Sequence, residues 1–319
     1  GYRIFPESVL SYLGADMGIQ GEAEVAFPIL LTLMEQKADL SETPGLFLPE
    51  RGPQRKRKFV KDLDMLSLPD SGFWTDKGGQ HRDLWMPVQT RRGCPMRCSY
   101  CSTPRIEGPI IRKHSVETIV NLIARHCENG FHRFFFTDNT FNIPLSYAKA
   151  LSQALAESEL NISWRCIFYP GCVDEVLITD MAAAGCKEVS LGFESGSETI
   201  LRKMNKKFGP ETIRRTSELL AKYGIARVGF LLLGGPGESK DSVQESFAFV
   251  ETLNPDAVKV TIGIRIYPGT DLAERAVSEG IIAAGDNLLY PKFYLAPEIN
   301  GWLQETVKNR IKDRPHWTL

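Results

Sequence analysis

The sequence predicts an α/β protein: a partial (β/α)6 barrel with a parallel sheet, preceded by the C-terminal remnant of another α/β domain. Three observations carry this. From residue 84 onward, short runs rich in β-branched and aromatic residues alternate with amphipathic stretches of helical period. Gly130, Gly185 and Gly224 each stand just past such a stretch, where a helix closes on a left-handed residue. Residues 1–52 hold one strand-like and one helical segment, too little to enclose a core alone. Successive β–α units imply right-handed crossovers and curvature toward a barrel short of the closed form. A doubly wound open sheet fits the same repeat count.

In chain order, Ala15–Ile19 reads as a short strand, and Gly21-Glu-Ala-Glu24 opens a helix. Its apolar face is Val25, Ile29, Leu30, Leu33 and Met34, and its two acids suit the positive end of the helix dipole. Pro44-Gly45 marks a turn. Residues 53–83, rich in charge, Pro and Gly, read as a linker, and the run Arg55-Lys56-Arg57-Lys58 within it reads as a solvated face. Six strands are expected, at 84–89, 133–137, 162–168, 188–193, 227–233 and 258–264. Leu145, Ala148, Leu151 and Leu155 share one helical face; Val173, Val176, Leu177 and Met181 a second; Val243, Phe247 and Val250 a third. Ser115 is placed to cap the helix that begins at Val116. The barrel is assigned to 84–283 and a C-terminal extension to 284–319. The opening at Gly1, inside an element, suggests a piece of a longer protein.

Composition narrows the function. Lys and Arg number 38 against 39 Asp and Glu, so nothing points to a nucleic-acid surface. No apolar stretch approaches the ~20 residues of a membrane span, and no signal-like start is present. Free thiols around a metal-type loop suit a reducing cytoplasm.

The chemistry is concentrated in Cys94-Pro-Met-Arg-Cys98-Ser-Tyr-Cys101, directly after the first strand. The spacing is Cys-x3-Cys-x2-Cys, with no further cysteine nearby to complete a set. Three thiolates in so tight a loop can each bind a different iron of one cubane and leave the remaining iron open. Structural zinc prefers a closed tetrahedral set, and His81 and His114 do not supply it. Arg91, Arg92 and Arg97 would add positive charge beside the thiolates.

Other strand ends carry groups suited to a bound nucleoside and amino acid. The second ends in Thr137-Asp-Asn-Thr-Phe-Asn142, and the fourth in Glu194-Ser195, whose carboxylate can accept from a ribose diol. The fifth runs into Gly234-Gly235-Pro-Gly-Glu238, where missing side chains let a flat ligand approach. The sixth runs into Tyr267-Pro-Gly-Thr270. Cys166, at the end of the third, is the one scattered cysteine able to point into a barrel as a hydrogen donor.

Together these residues resemble the radical S-adenosylmethionine (SAM) superfamily, over about 84–283. The resemblance implies that Cys94, Cys98 and Cys101 hold a 4Fe–4S cluster and that SAM chelates the open iron. It places Tyr100 and Tyr267 near adenine, Asp138 or Asn139 near the methionyl amine, Glu194 and Ser195 at the ribose, and Gly234 and Gly235 beside the nucleoside. Arg202 or Lys206 would meet the carboxylate of SAM, or else lie on a solvated helix face. Reductive cleavage to a 5′-deoxyadenosyl radical would follow, with an electron donor such as flavodoxin or ferredoxin. Gly21-Glu-Ala-Glu24, Pro44-Gly-Leu46, Tyr267–Thr270 and Pro291-Lys-Phe-Tyr294 are similar to members carrying an N-terminal cobalamin-binding domain, although the cobalt-ligating histidine motif does not occur in this sequence. Cobalamin-assisted methylation, or ring formation or rearrangement, of a small, hydrophobic molecule is the implied reaction class. A methylthiotransferase acting on transfer RNA is the alternative enzyme. An iron–sulfur carrier or zinc scaffold is the non-enzymatic one.

Overall fold

The computed structural model describes residues 2–69, 72 and 84–319. Part of the expected linker, and His81, lie outside the described residues. The chain divides into two compact units that interleave in sequence. One draws on Gly1–Leu66, Arg92–Lys113 and Arg265–Phe293, the other on Ser67–Arg91, His114–Ile264 and Tyr294–Leu319.

The first unit opens with α1 (Pro6–Leu13), which closes on left-handed Gly14. An antiparallel sheet follows, of β1 (Gly18–Ile19), β2 (Leu46–Leu48) and β3 (Gly52–Pro53), with α2 (Ala23–Glu35) between its first two strands. The predicted strand at 15–19 is thus shorter than expected. The face expected of α2 also differs. Ala26 and Leu30 are buried, whereas Val25, Ile29 and Met34 are exposed. Periodicity identifies an apolar face but not what covers it. The short helix α3 (Thr103–Glu107) follows the cysteine loop, and a helix at Asp271–Ser278 is capped by the Thr270 hydroxyl, which accepts from the Ala273 amide at 3.2 Å.

The second unit is built on a seven-stranded sheet. Its strands are β4 (Met86–Val88), β5 (Arg133–Phe136), β6 (Ser163–Phe168), β7 (Cys186–Glu194), β8 (Ala226–Leu233), β9 (Ala257–Ile262) and β10 (Trp317–Thr318). Every neighbouring pair is parallel. Strand order follows chain order from β4 to β10 without reversal. A doubly wound sheet reverses at a switch point; this one winds in one sense, as a barrel does. The seventh strand comes from the C-terminal extension, with Val258 opposite Trp317 and Lys259 opposite Thr318. Pro87 is tolerated in β4 because that strand is the sheet edge.

Helices α4 (Val116–Glu128), α5 (Leu145–Glu157), α6 (Glu175–Ala183), α7 (Glu198–Lys203), α8 (Pro210–Lys222), α9 (Lys240–Leu253) and α10 (Trp302–Lys312) accompany the strands. Ser115 caps α4, accepting from the Thr118 amide at 3.2 Å. Ala148, Leu151 and Leu155 of α5 and Val243, Phe247 and Val250 of α9 are buried as the 3.6-residue period predicts. In α6 the buried set is Leu177, Ile178 and Met181; Val173 precedes the helix and Val176 is 57% exposed. Each fully buried large side chain contributes roughly 1.5–3 kcal/mol. Burial alternates along the strands: Trp164, Cys166 and Phe168 are buried, while Arg165 and Ile167 are half-buried. The half-buried parity lines a cavity.

Candidate active site

In the first unit the cysteine loop is held by several fixed points. Gly93 has φ +99°, and a Cβ there would stand 2.2 Å from the Ile110 carbonyl oxygen, so only glycine fits. Its amide donates to the Glu107 carboxylate at 2.9 Å, and the Cys94 amide to the Gly108 carbonyl at 3.0 Å. The Cys101 amide closes a turn onto the Cys98 carbonyl at 3.1 Å, and the Ser99 carbonyl accepts from the Leu272 amide at 3.0 Å. Glu22 is the least expected anchor. It is buried, accepts from Arg112 at 2.7 Å and from the Val60 amide at 2.5 Å, and lies 3.4 Å from Arg92. Glu24 pairs with Arg92 at 2.7 Å. The acids that suit a helix dipole on sequence grounds therefore tie α2 to both flanks of the cysteine loop.

Cys94, Cys98 and Cys101 are free thiols, the first buried and the others half-buried. Burial pushes the Cys94 thiol up to about 11, and the nearby Cys101, Cys98 and Glu107 charges push the same way. Cys98 and Cys101 thus both lie near enough to Cys94 to act on it. Among the described residues, no three His, Cys, Asp or Glu side chains are arranged around a single metal ion. The donor set and the loop fit an iron–sulfur cluster. Tyr100 lies in this loop, and Tyr267 of the same unit is half-buried with the Arg265 guanidinium 4.9 Å over its ring.

In the second unit the strand ends are more heavily engaged than the sequence suggests. Asp138 is fully buried. Its carboxylate accepts from the Thr90 amide at 2.7 Å, the Thr90 hydroxyl at 2.6 Å and the Arg91 amide at 3.0 Å, and lies 3.3 Å from Arg91 Nε. Burial pushes its carboxyl up, against the pull of Arg91 and the Thr90 donors. With both oxygens taken, Asp138 pins the residues leading into the cysteine loop and is not open to an ammonium. Arg91 is likewise committed, donating to the Ile143 carbonyl at 2.8 Å and lying over the Tyr147 ring at 4.7 Å. Asn139 beside it is half-buried. Asn142 is buried and bridges Tyr169 and Cys172 through their backbone.

Glu194 ends β7 at a register shift against β8, with φ +70°. Lys206 lies 3.2 Å from its carboxylate, so that cation meets Glu194 in this structure. Arg202 is exposed and sits 3.6 Å from Glu198 on the same helix, a solvated face. Ser195 is buried against Ser246, 2.9 Å between hydroxyls, and accepts from the Ser197 amide at 3.1 Å. At Gly234, φ +94°, a Cβ would lie 2.3 Å from Leu295 Cδ1; at Gly235 it would lie 3.1 Å from Ile264 and Met204. Both amides donate to the Glu238 carboxylate, that of Gly235 at 2.9 Å. The glycines thus make room for protein atoms, and their amides are occupied by Glu238. Cys166 is fully buried, on the opposite parity from the cavity-lining Arg165 and Ile167.

The cavity on the half-buried sheet face has a volume of about 660 Å³ and runs along β7 from Glu188 to Glu194. Apolar walls such as Ile167 and Phe230 are joined by Arg165, Lys259 and His316. Arg165 lies 4.5 Å from the Trp85 ring and 5.0 Å from the Phe135 ring, with Glu188 at 3.8 Å. No charged anchor stands out in the sequence of this region. Arg165 inside an otherwise apolar strand was the available signal. Among the described residues, no helix is long and apolar enough to cross a membrane.

A model of the radical SAM superfamily matches residues 88–250. An uncharacterized methyltransferase of Pyrococcus horikoshii is 29% identical over 272 residues, covering 84% of this chain and 59% of that protein. The chain therefore spans about three fifths of that curated relative. The radical SAM methyltransferase TsrM of Kitasatospora setae, solved with tryptophan and a SAM analogue, superposes with a TM-score of 0.84 at 19% identity, over 100% of this chain and 71% of that one. The cobalamin-dependent SAM radical enzyme OxsB superposes with a TM-score of 0.79 at 16% identity, over 98% of this chain and 52% of that one. At these identities the structures establish the fold.

Proposed function

Because the chain belongs to the radical SAM superfamily, we propose that it is the catalytic part of a methyltransferase whose whole protein also carries cobalamin. The observation that carries this reading is the loop of three free thiols in a Cys-x3-Cys-x2-Cys spacing, anchored by Gly93 and Glu22. In this reading Cys94, Cys98 and Cys101 hold a 4Fe–4S cluster and leave one iron for SAM. Cluster and SAM, when bound, supply one-electron chemistry able to break an unactivated C–H bond. Methylation is favoured by the likeness to the Pyrococcus horikoshii methyltransferase and to TsrM, and cobalamin by the likeness to cobalamin-dependent OxsB.

The protein's own part is positioning and exclusion of water. Glu194, steadied by Lys206, accepts from the ribose hydroxyls; Tyr100 and Tyr267 supply apolar contact to adenine; Asn139 takes the role near the methionyl amine that Asp138 cannot. The substrate lies in the sheet-face cavity. Its apolar walls, with Arg165 and Lys259, suit an apolar body bearing a polar or anionic end better than a wholly hydrophobic molecule. An electron donor of the flavodoxin or ferredoxin type and a reducing cytoplasm complete the setting.

The test gives the anaerobically reconstituted full-length protein methyl-deuterated SAM and a small-molecule extract of its host. Label entering a compound other than SAM or its breakdown products, and lost in Cys98→Ala, supports the reading. Cys98-dependent SAM cleavage with no label in any such compound contradicts methylation.

A further inference from the structure

We propose that the first unit carries a second small-molecule site, a pocket for a phosphate monoester formed by Arg3, Arg57 and Arg105 with Arg55 and Lys56 at its rim. The pocket has a volume of about 390 Å³, and its lining includes these five cations and no carboxylate. The basic run expected to be a solvated linker face is thus one wall of a cavity.

Arg57 and Arg105 are oriented through carbonyl oxygens with no carboxylate paired to them among the described residues, whereas Arg3 also feels the Glu24 carboxylate and helps lower its pKa. Arg57 donates to the Arg105 carbonyl at 2.6 Å, Arg105 to the Pro268 carbonyl at 3.3 Å, and Arg3 to the Ile106 carbonyl at 3.4 Å. Each such bond fixes a side chain while leaving its full positive charge. Burial lowers the Arg57 pKa from its usual value, and repulsion from Arg105 and Arg3 lowers it further. Like charges held together this way are costly until an anion enters. Arg55 is partly satisfied by Glu42, which places it at the rim.

The chain also makes room for the group. Gly269 has φ +66°, and a Cβ there would stand 2.0 Å from the Arg105 guanidinium, so any other residue would displace it. Phe59 lies 5.2 Å below Arg57 and stiffens it further. Planar guanidinium forks match the oxygens of a phosphate in pairs. Several of them without a counter-charge favour a dianion, hence a monoester over a diester.

The test of this site needs no turnover. Thermal unfolding of the cluster-loaded full-length protein is followed at fixed ionic strength with inorganic phosphate, phenyl phosphate, dimethyl phosphate and chloride. Saturable stabilisation by phosphate and phenyl phosphate is expected. The dissociation constant should weaken at least about tenfold in Arg57→Gln and in Arg105→Ala, from loss of hydrogen bonds between charged groups. Lys240→Ala, at an exposed position in the first turn of α9 in the other unit, should leave it unchanged. Circular dichroism of the unliganded variants checks that they fold. Stabilisation matched by chloride, equal binding of the dimethyl ester, or unchanged affinity in both folded arginine variants would overturn the proposal.

Discussion

Glu238 gives the sharpest energetic test. It is 1% exposed, its Oε2 accepts from the Gly234 and Gly235 amides, and its Oε1 has no partner among the described residues. Burial raises its pKa from 4.5 to about 7, against the two amide donors. Between those values the folded chain keeps a proton that the unfolded chain releases. Stability should therefore be greatest at the acid end of the window, fall as pH rises through it, and level off above about 7. At about 1.4 kcal/mol per pH unit the window amounts to on the order of 3 kcal/mol. Glu238→Gln imitates the protonated side chain at every pH. In urea denaturation at about pH 8 the variant should be more stable than wild type by up to about 3 kcal/mol, and at about pH 5 the two should agree within about 1 kcal/mol. A wild-type-minus-variant difference that is the same at both pH values would refute the reasoning.

Other substitutions probe the anchors of the cysteine loop. Glu22→Ala leaves Arg112 buried without its carboxylate and should cost about 3–5 kcal/mol in chemical denaturation, with less iron retained per chain after reconstitution. Asp138→Asn removes the charge facing Arg91 in a fully buried pair and should cost a similar amount, about 3–5 kcal/mol, measured the same way. Gly93→Ala should lose about 1–3 kcal/mol from its left-handed backbone alone. The Ile110 contact adds to that, and iron retention should fall with stability.

Much of this architecture is legible in the residues. Parallel strands buried by helices announce themselves as apolar runs between helical periods, and Gly130, Gly185 and Gly224 do adopt positive φ. The closing strand at Trp317–Thr318 is too short to leave a periodic signal. Partnerships are harder to read than elements. Glu22 finds Arg112 from 90 positions away, and nothing local distinguishes it from a helix-dipole acid. Asp138 and Glu238 occupy positions where a ligand-binding acid and a backbone-pinning acid look alike; only their hydrogen bonds separate the two. Cys166 takes the parity away from the cavity. Its strand neighbours Trp164 and Phe168 share its buried side, and the charged Arg165 marks the other side as the one facing the cavity.

The loop between Cys94 and Cys101 bears the weight of the whole account, and anaerobic SAM cleavage tests it most directly. Reduced, iron-reconstituted protein should yield 5′-deoxyadenosine, with a cluster spectrum that shifts on adding SAM, and Cys98→Ala should lose both. Tightly bound zinc in that loop, a spectrum indifferent to SAM, or cleavage that survives Cys98→Ala would contradict it.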